Sequence, residues 1–130
     1  MVMNMLIIIF LNLYIGLFLH INGPNSNDIP QSLYKAKGKA SYYSDKFNKR
    51  RTSSGEIFYN DSLTAAHKTL AFGTIVKVTN LLNDSVVIVR INDRLPKKSS
   101  RIIDLSKAAA RKLNFISQGL TKVSIEQLAK

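Results

Sequence analysis

Between Val86 and Leu105 the chain reads VVIVRINDRLPKKSSRIIDL: an apolar run ending in Asn92-Asp93-Arg94, a short basic loop, and a second apolar step ending in Asp104. Residues 74–80 (TIVKVTN) and 85–91 (SVVIVRI) are both β-branched runs of strand length, and the link between them ends in the turn-formers Asn83 and Asp84. They predict a β-hairpin. The second run is apolar at successive positions, so both of its faces need cover, which predicts a strand inside a closed or sandwiched sheet. Two carboxylates, Asp93 and Asp104, therefore hang from the ends of two rigid apolar segments.

The remaining elements agree with that frame. Lys35, Lys37 and Lys39 alternate with smaller residues ahead of Ala40-Ser41-Tyr42-Tyr43, a pattern that predicts an edge strand with one solvated face. Residues 45–55 (DKFNKRRTSSG) are polar and basic and read as a long loop. Ile102-Ile103 predicts another short strand, and the alternation of Val123 and Ile125 with Lys122 and Ser124 predicts a last one. Ser106 before KAAARKL is a good N-cap for a short helix ending in basic residues. About six short strands and one short helix, with no strand-helix alternation, describe an all-β barrel or sandwich rather than a parallel doubly wound sheet.

Charge is distributed unevenly. The first 33 residues contain no Lys or Arg and one acid, Asp28, so the remainder holds all 19 basic residues against seven acids, a net +12. Such an excess attracts polyanions, although a Lys-rich composition alone can also produce it. Residues 5–19 (MLIIIFLNLYIGLFL) are almost unbroken in apolar character. They are shorter than a full membrane span and fit a secretory signal, with an uncleaved anchor or a buried helix as alternatives. The expected organisation is a signal or anchor over 1–23, a spacer over 24–35 and a catalytic domain over 36–130, placed outside the cytoplasm. Membrane contact is expected only through the N-terminal segment. The absence of Cys excludes disulfides, thiolate metal sites, Cys nucleophiles and Cys lipidation.

Few side chains can do acid-base work. Asp93, Asp104 and Glu56 each adjoin apolar segments, and His67 is the one imidazole outside the signal or anchor region, 1–23. A structural role stands beside each candidacy. Asp93 could accept local turn hydrogen bonds. Asp104 could pair with Arg101 or Arg94 or support the helix N-terminus. Glu56 could be a loop carboxylate among Lys49, Arg50 and Arg51. His67 could be a hydrogen-bonded, half-buried residue. His67 has no partner at metal-ligand spacing, and no glycine-rich phosphate loop is present, so neither metal nor cofactor is expected.

Five segments, in order, carry a resemblance: GKASYYS (38–44), RTSSGEIF (51–58), LTAAHKTLAFGTIVKVTNL (63–81), VVIVRINDR (86–94) and RIIDLSKAAARKL (101–113). Together they resemble the rare-lipoprotein-A family of septal-ring lytic transglycosylases. The resemblance implies a mainly β fold, a six-stranded double-psi β-barrel with one or two short helices, preceded here by the N-terminal signal or anchor helix. It implies endolytic cleavage of the β-1,4 bond between N-acetylmuramic acid and N-acetylglucosamine in peptidoglycan, leaving 1,6-anhydro-muramoyl ends.

Carried over residue by residue, the resemblance assigns catalysis to Asp93, Glu56 and His67, with Asp93 as the acid. It assigns supporting or substrate-binding places to Asp104, Arg94, Asn92, Tyr42, Tyr43 and Thr64. Peptidoglycan glycan strands are the implied partner, and the enzyme is expected to act as a monomer without a cofactor. Two departures stand out. Tyr42 replaces the family's usual Trp, which leaves a smaller aromatic platform, and Leu95 replaces the Gly that follows Asp-Arg, which predicts a reshaped loop beside Asp93. A non-catalytic, expansin-like wall-binding module is the nearest alternative. A nucleic-acid-binding domain fits the charge but lacks any recognisable motif, so no nucleic-acid partner is expected.

Overall fold

The structure is a computed structural model that describes residues 33–129. The N-terminal signal or anchor helix and most of the spacer lie outside the described residues, and among those residues no helix is long and apolar enough to cross a membrane.

Six strands close into one barrel: β1 (Lys35–Tyr42), β2 (Thr64–His67), β3 (Ile75–Asn80), β4 (Val86–Arg94), β5 (Arg101–Leu105) and β6 (Thr121–Gln127), in the order β1-β5-β2-β4-β3-β6. The β1–β5 and β2–β4 pairs are parallel and the other four are antiparallel. The expected hairpin is β3–β4, with Val78 opposite Val87 and Val76 opposite Val89. Val76, Val78, Val87, Val89, Ile91, Ile103, Leu105, Val123 and Ile125 fill the interior. Each such side chain contributes on the order of 1.5–3 kcal/mol by leaving water.

The one α-helix among the described residues, α1 (Lys107–Lys112), is packed by Ala109 and Ala110, with Leu113 and Phe115 following into the same core. Ser106 Oγ accepts the Ala109 N–H as the sequence predicts, and Asn60 Oδ1 and O accept the N–H groups of Lys107 and Ala108. These acceptors satisfy the amides that an α-helix leaves unpaired at its start.

Two strand expectations need correction. The lysine side of β1 is solvated as predicted, but β1 is no edge, because closure pairs it with β5 on one side and β6 on the other. A closed barrel has no edges. Likewise β4 is not covered on both faces: Val87, Val89 and Ile91 point inward, whereas Val86 and Ile88 are 46% and 43% exposed on the outside. β-Branched residues suit a strand for backbone reasons as well as for burial, so apolarity at successive positions overstated the cover. The long 45–55 loop also has more order than its polarity suggests. It contains a one-turn 3₁₀ helix, Asp45–Phe47, and a turn closed by pairing of Arg51 with Ile57.

Candidate active site

Register brings the two aspartates together. Ser41 on β1 lies beside Asp104 on β5, Asp104 beside Ala66 on β2, and Ala66 beside Asp93 on β4. Four neighbouring strands thus present one row, Ser41-Asp104-Ala66-Asp93. At about 4.8 Å per strand, the two aspartate Cα atoms stand about 10 Å apart.

A β-bulge sets this row. Ala65 pairs with Ile91 but Ala66 with Asp93, so Asn92 is skipped. The extra residue lets Ile91 and Asn92 both turn inward, fully buried, while Asp93 emerges on the outer face.

Asp93 is held by neutral donors. Tyr43 Oη donates to Oδ2 at 2.5 Å, and the Ser53 and Arg94 N–H groups donate to Oδ1 at 3.0 and 2.8 Å. Burial pushes the carboxyl upward, but the hydrogen bonds from Tyr43, Ser53 and Arg94 outweigh it and hold Asp93 below its ordinary 3.8. The same pair drives Tyr43 the other way. Burial, the bond to Asp93 and the charges of Asp93 and Asp104 raise its phenol far above the usual 10.0, so Tyr43 remains a donor.

Asp104 is held by a cation. Arg101 Nε and Nη2 reach its two oxygens at 2.7 and 3.1 Å, and Ser41 Oγ donates to Oδ1 at 2.7 Å. Of the roles the sequence leaves open for Asp104, pairing with Arg101 is the one present.

Both aspartates line one open cleft of about 740 Å³, which also contains Tyr42, Tyr43 and Pro96. Its other walls carry Lys46, Arg50, Arg51, Arg94 and Arg101, five cations against two carboxylates. The face is one that an anionic or hydroxyl-rich ligand would meet favourably.

Glu56 and His67 are not in the cleft lining. Glu56 instead forms a bidentate ion pair with Arg90, at 2.6 and 2.9 Å, and accepts from buried Asn92 Nδ2 at 3.2 Å. Arg90 and Asn92 together lower its pKa. The pair fastens the 52–56 turn onto β4, and that turn supplies the Ser53 N–H to Asp93. Gly55 takes φ +88° there, which a side chain would strain.

His67 is 2% exposed, with Nδ1 accepting from the Thr69 and Leu70 N–H groups and its ring edge-on to Tyr34 at 5.1 Å. Burial, then the charges of Arg94 and Lys68, lower its pKa, so it is a neutral imidazole with its proton on Nε2.

Among the supporting candidates, Arg94 turns its guanidinium back onto the His67 and Leu70 carbonyls and over the Phe72 ring at 4.0 Å. Tyr42 is at the cleft wall but stacks edge-on against Phe115 and donates to the Ile116 carbonyl, which makes it more a core residue than a platform. Thr64 is buried at the start of β2, where its carbonyl accepts the Ser106 N–H. Leu95 causes no backbone strain. Its φ is not positive, its N–H donates to the His67 carbonyl, and its side chain is buried.

Ser41, Ser53 and the rim residues Lys46, Arg50 and Arg51 line the cleft although sequence reasoning did not select them, whereas Arg101 was named there only as a partner for Asp104. For Ser41 a signal was available, since it continues the outward alternation of Lys35, Lys37 and Lys39 along β1. Among the described residues no cluster of His, Asp and Glu could hold a metal ion.

Residues 35–125 match the sequence model of a family described as lytic transglycolase. The probable endolytic peptidoglycan transglycosylase RlpA of Treponema pallidum is 55% identical over 91 residues, covering 70% of this chain and 29% of the relative. The endolytic peptidoglycan transglycosylases RlpA of Neisseria meningitidis and Haemophilus influenzae are 53% and 50% identical over 70% and 73% of this chain, and 38% and 33% of their own lengths. The chain therefore spans about a third of the curated relatives it matches. Among solved structures, the Streptomyces papain inhibitor superposes with TM-score 0.61 at 25% identity, over 78% of this chain and all of that one. A Clavibacter michiganensis expansin mutant in complex with cellohexaose superposes with TM-score 0.61 at 20% identity, over 74% of this chain and 51% of that one.

Proposed function

The chain belongs to the lytic transglycolase family, and from that premise we propose that its barrel cleaves the β-1,4 bond between N-acetylmuramic acid and N-acetylglucosamine in peptidoglycan. The observation that carries this reading is that Asp93 and Asp104 flank Ala66 in one register row and line one open cationic cleft.

Glycosidic cleavage of this type needs one proton delivered to the leaving oxygen and one removed from the attacking hydroxyl. Protonated Asp93 gives its proton to the glycosidic oxygen as the bond from that oxygen to C1 of the muramoyl residue breaks. The resulting carboxylate takes the proton of the muramoyl C6 hydroxyl as that oxygen bonds to C1, closing the 1,6-anhydro ring. Asp93 ends as it began, and no water is consumed. Tyr43 and the Ser53 and Arg94 amides stabilise the carboxylate formed midway. Asp104 faces positive charge developing at the sugar while its own charge is fixed by Arg101. Glu56 acts at one remove, by positioning Ser53, and His67 by packing and by ordering the 67–70 turn.

This reading puts the barrel in the cell envelope, where its substrate is. Residues 5–19 supply the export signal or the anchor.

The test is digestion of purified sacculi followed by mass spectrometry. Release of 1,6-anhydro-muropeptides is expected, and hydrolysed reducing ends or no cleavage would refute the reading. One observation favours an expansin-like binding module instead: hydrogen bonds from Tyr43, Ser53 and Arg94 hold Asp93 below its ordinary pKa, and an anion suits ligand binding better than proton donation. Tight binding to sacculi without new ends would establish that alternative.

A further inference from the structure

The outer face of β1 does not end at Ser41. Lys39 lies two residues before it on the same face, about 7 Å along the strand. In register, Lys39 neighbours Arg101 of the cleft on one side and Lys122 of β6 on the other. Lys37 comes next along β1. A cationic row thus leaves the cleft through Arg101 and runs across three strands.

Two features set it apart from an ordinary solvated face. First, the charges are uncompensated: among the described residues the four ion pairs are Lys35–Glu126, Arg90–Glu56, Arg101–Asp104 and Lys107–Asp45, and none involves Lys37, Lys39 or Lys122. Lys39 and Lys122 are direct cross-strand partners, and like charges so placed destabilise a sheet. Second, the surface is concave and partly apolar. Lys39 and Lys122 are shared by two adjoining hollows, one of about 490 Å³ with Lys37, Leu81 and Ser100 and one of about 270 Å³ with Leu82, Leu120 and Thr121. Leu82 is 72% exposed and Leu120 50%. Cations beside aliphatic walls match a strand of pyranose rings whose muramoyl units carry carboxylates, on the lactyl group or on the attached peptide.

We propose that Lys37, Lys39 and Lys122, with Leu81, Leu82 and Leu120, form a track that holds a carboxylate-bearing peptidoglycan strand beyond the cleft. The track rests on the proposed function, since it takes the same strand further from the point of cleavage. It adds affinity for long strands and leaves the chemistry at Asp93 unchanged. Its position also gives the strand a direction, from Asp93 past Asp104 and Arg101 toward β6.

The experiment uses the full chain and the double variant Lys39→Gln/Lys122→Gln. Both sites are exposed and the variant removes a like-charge repulsion, so thermal stability should hold or rise. Binding is read by pelleting with sacculi whose carboxylates are free or have been amidated, over a series of salt concentrations. The variant is expected to bind free-carboxylate sacculi about five-fold more weakly at low salt, from two exposed ion pairs. It should bind amidated sacculi as wild type does. Cleavage of a soluble fragment of two disaccharides, too short to leave the cleft, should not change. Equal binding of both proteins to free-carboxylate sacculi overturns the track, as does an equal loss on the amidated material. A loss seen on vesicles containing phosphatidylglycerol and not on sacculi also overturns it, in favour of a membrane surface. Should wild type bind sacculi yet release no anhydro ends, the proposed activity fails while the pelleting still decides the track.

Discussion

Asp93 and Asp104 occupy one row of the barrel, separated only by Ala66, yet each is stabilised by a different kind of partner. Asp93 is surrounded by neutral donors, a phenol and two backbone amides. Asp104 faces a guanidinium that takes both of its oxygens, with Ser41 beside it. Neutral donors lower a carboxyl pKa without cancelling its charge, so the group can still exchange a proton when a sugar excludes water. A bidentate Arg takes both oxygens of its partner and fixes the carboxylate in place. The contrast shows that one fold gives two identical side chains different surroundings, and on the proposed mechanism those neighbours make Asp93 the proton carrier and Asp104 the pinned carboxylate.

The largest effect should come from breaking that division directly. Asp93→Asn keeps a hydrogen-bond acceptor but cannot carry a proton, so release of anhydro ends should fall by about 10²–10⁴-fold, with a modest loss of thermal stability as the charge-assisted hydrogen bonds are lost. Asp104→Asn removes fixed charge and leaves Arg101 unpaired, so a smaller loss is expected. Steady-state rates on sacculi decide the ranking. An Asp104→Asn loss exceeding that of Asp93→Asn would reverse the assignment.

Next in size is Tyr43→Phe. It deletes the 2.5 Å donor to Asp93 and nothing from Asp104. Since the hydrogen bond stabilises the anion, its loss raises the Asp93 pKa, and the protonated form required for the first step persists to higher pH. The falling limb of kcat/KM against pH should therefore move upward in the variant. An unmoved limb would mean that Asp93 is not the titrating acid.

His67 provides the control for this argument, because it titrates in another range and through stability instead of rate. Its folded pKa lies below the ordinary 6.5, so below that pH the unfolded chain takes up a proton that the folded chain refuses. Stability should be constant well above 6.5 and decline as pH falls through 6.5 toward the lower folded value. Asp93, lowered from 3.8, contributes stability that is lost only as pH falls further, through its folded value. His67→Gln should flatten Tm against pH in the upper window, whatever it does to Tm itself. A wild-type slope in the variant would assign that window to another group.

How much of this could be read in advance follows from what each feature depends on. The β3–β4 hairpin, the Ser106 cap and the last strand around Val123 and Ile125 were legible because they follow from local pattern. The two aspartates were legible as candidates because apolar segments end in them. Their shared row was not, since it depends on a bulge at Asn92 and on β2 lying between β4 and β5, a long-range pairing. The same applies to Glu56. Composition offered Lys49, Arg50 and Arg51 as partners, but the fold brings Arg90 from 34 residues away. Closure of the barrel also removed the edge that alternating lysines had suggested on β1.

The Glu56–Arg90 pair allows the finest cut. It is solvent-exposed at both ends, so its direct contribution to stability should be below about 1 kcal/mol. Its effect on the site runs through the 52–56 turn, whose Ser53 amide is one of three donors to Asp93. Glu56→Gln loses the bidentate geometry and loosens that turn without touching Tyr43 or Arg94. The limb of the rate profile should then shift in the same direction as in Tyr43→Phe, but by less, because one amide is weakened and not lost. Arg90→Gln should reproduce the shift, and the double variant should add nothing further, since both act through one tether. Additive losses in the double variant, or a fall in rate with no movement of the limb, would show that Glu56 meets the sugar itself and that Asp93 owes its low pKa to Tyr43 and Arg94 alone.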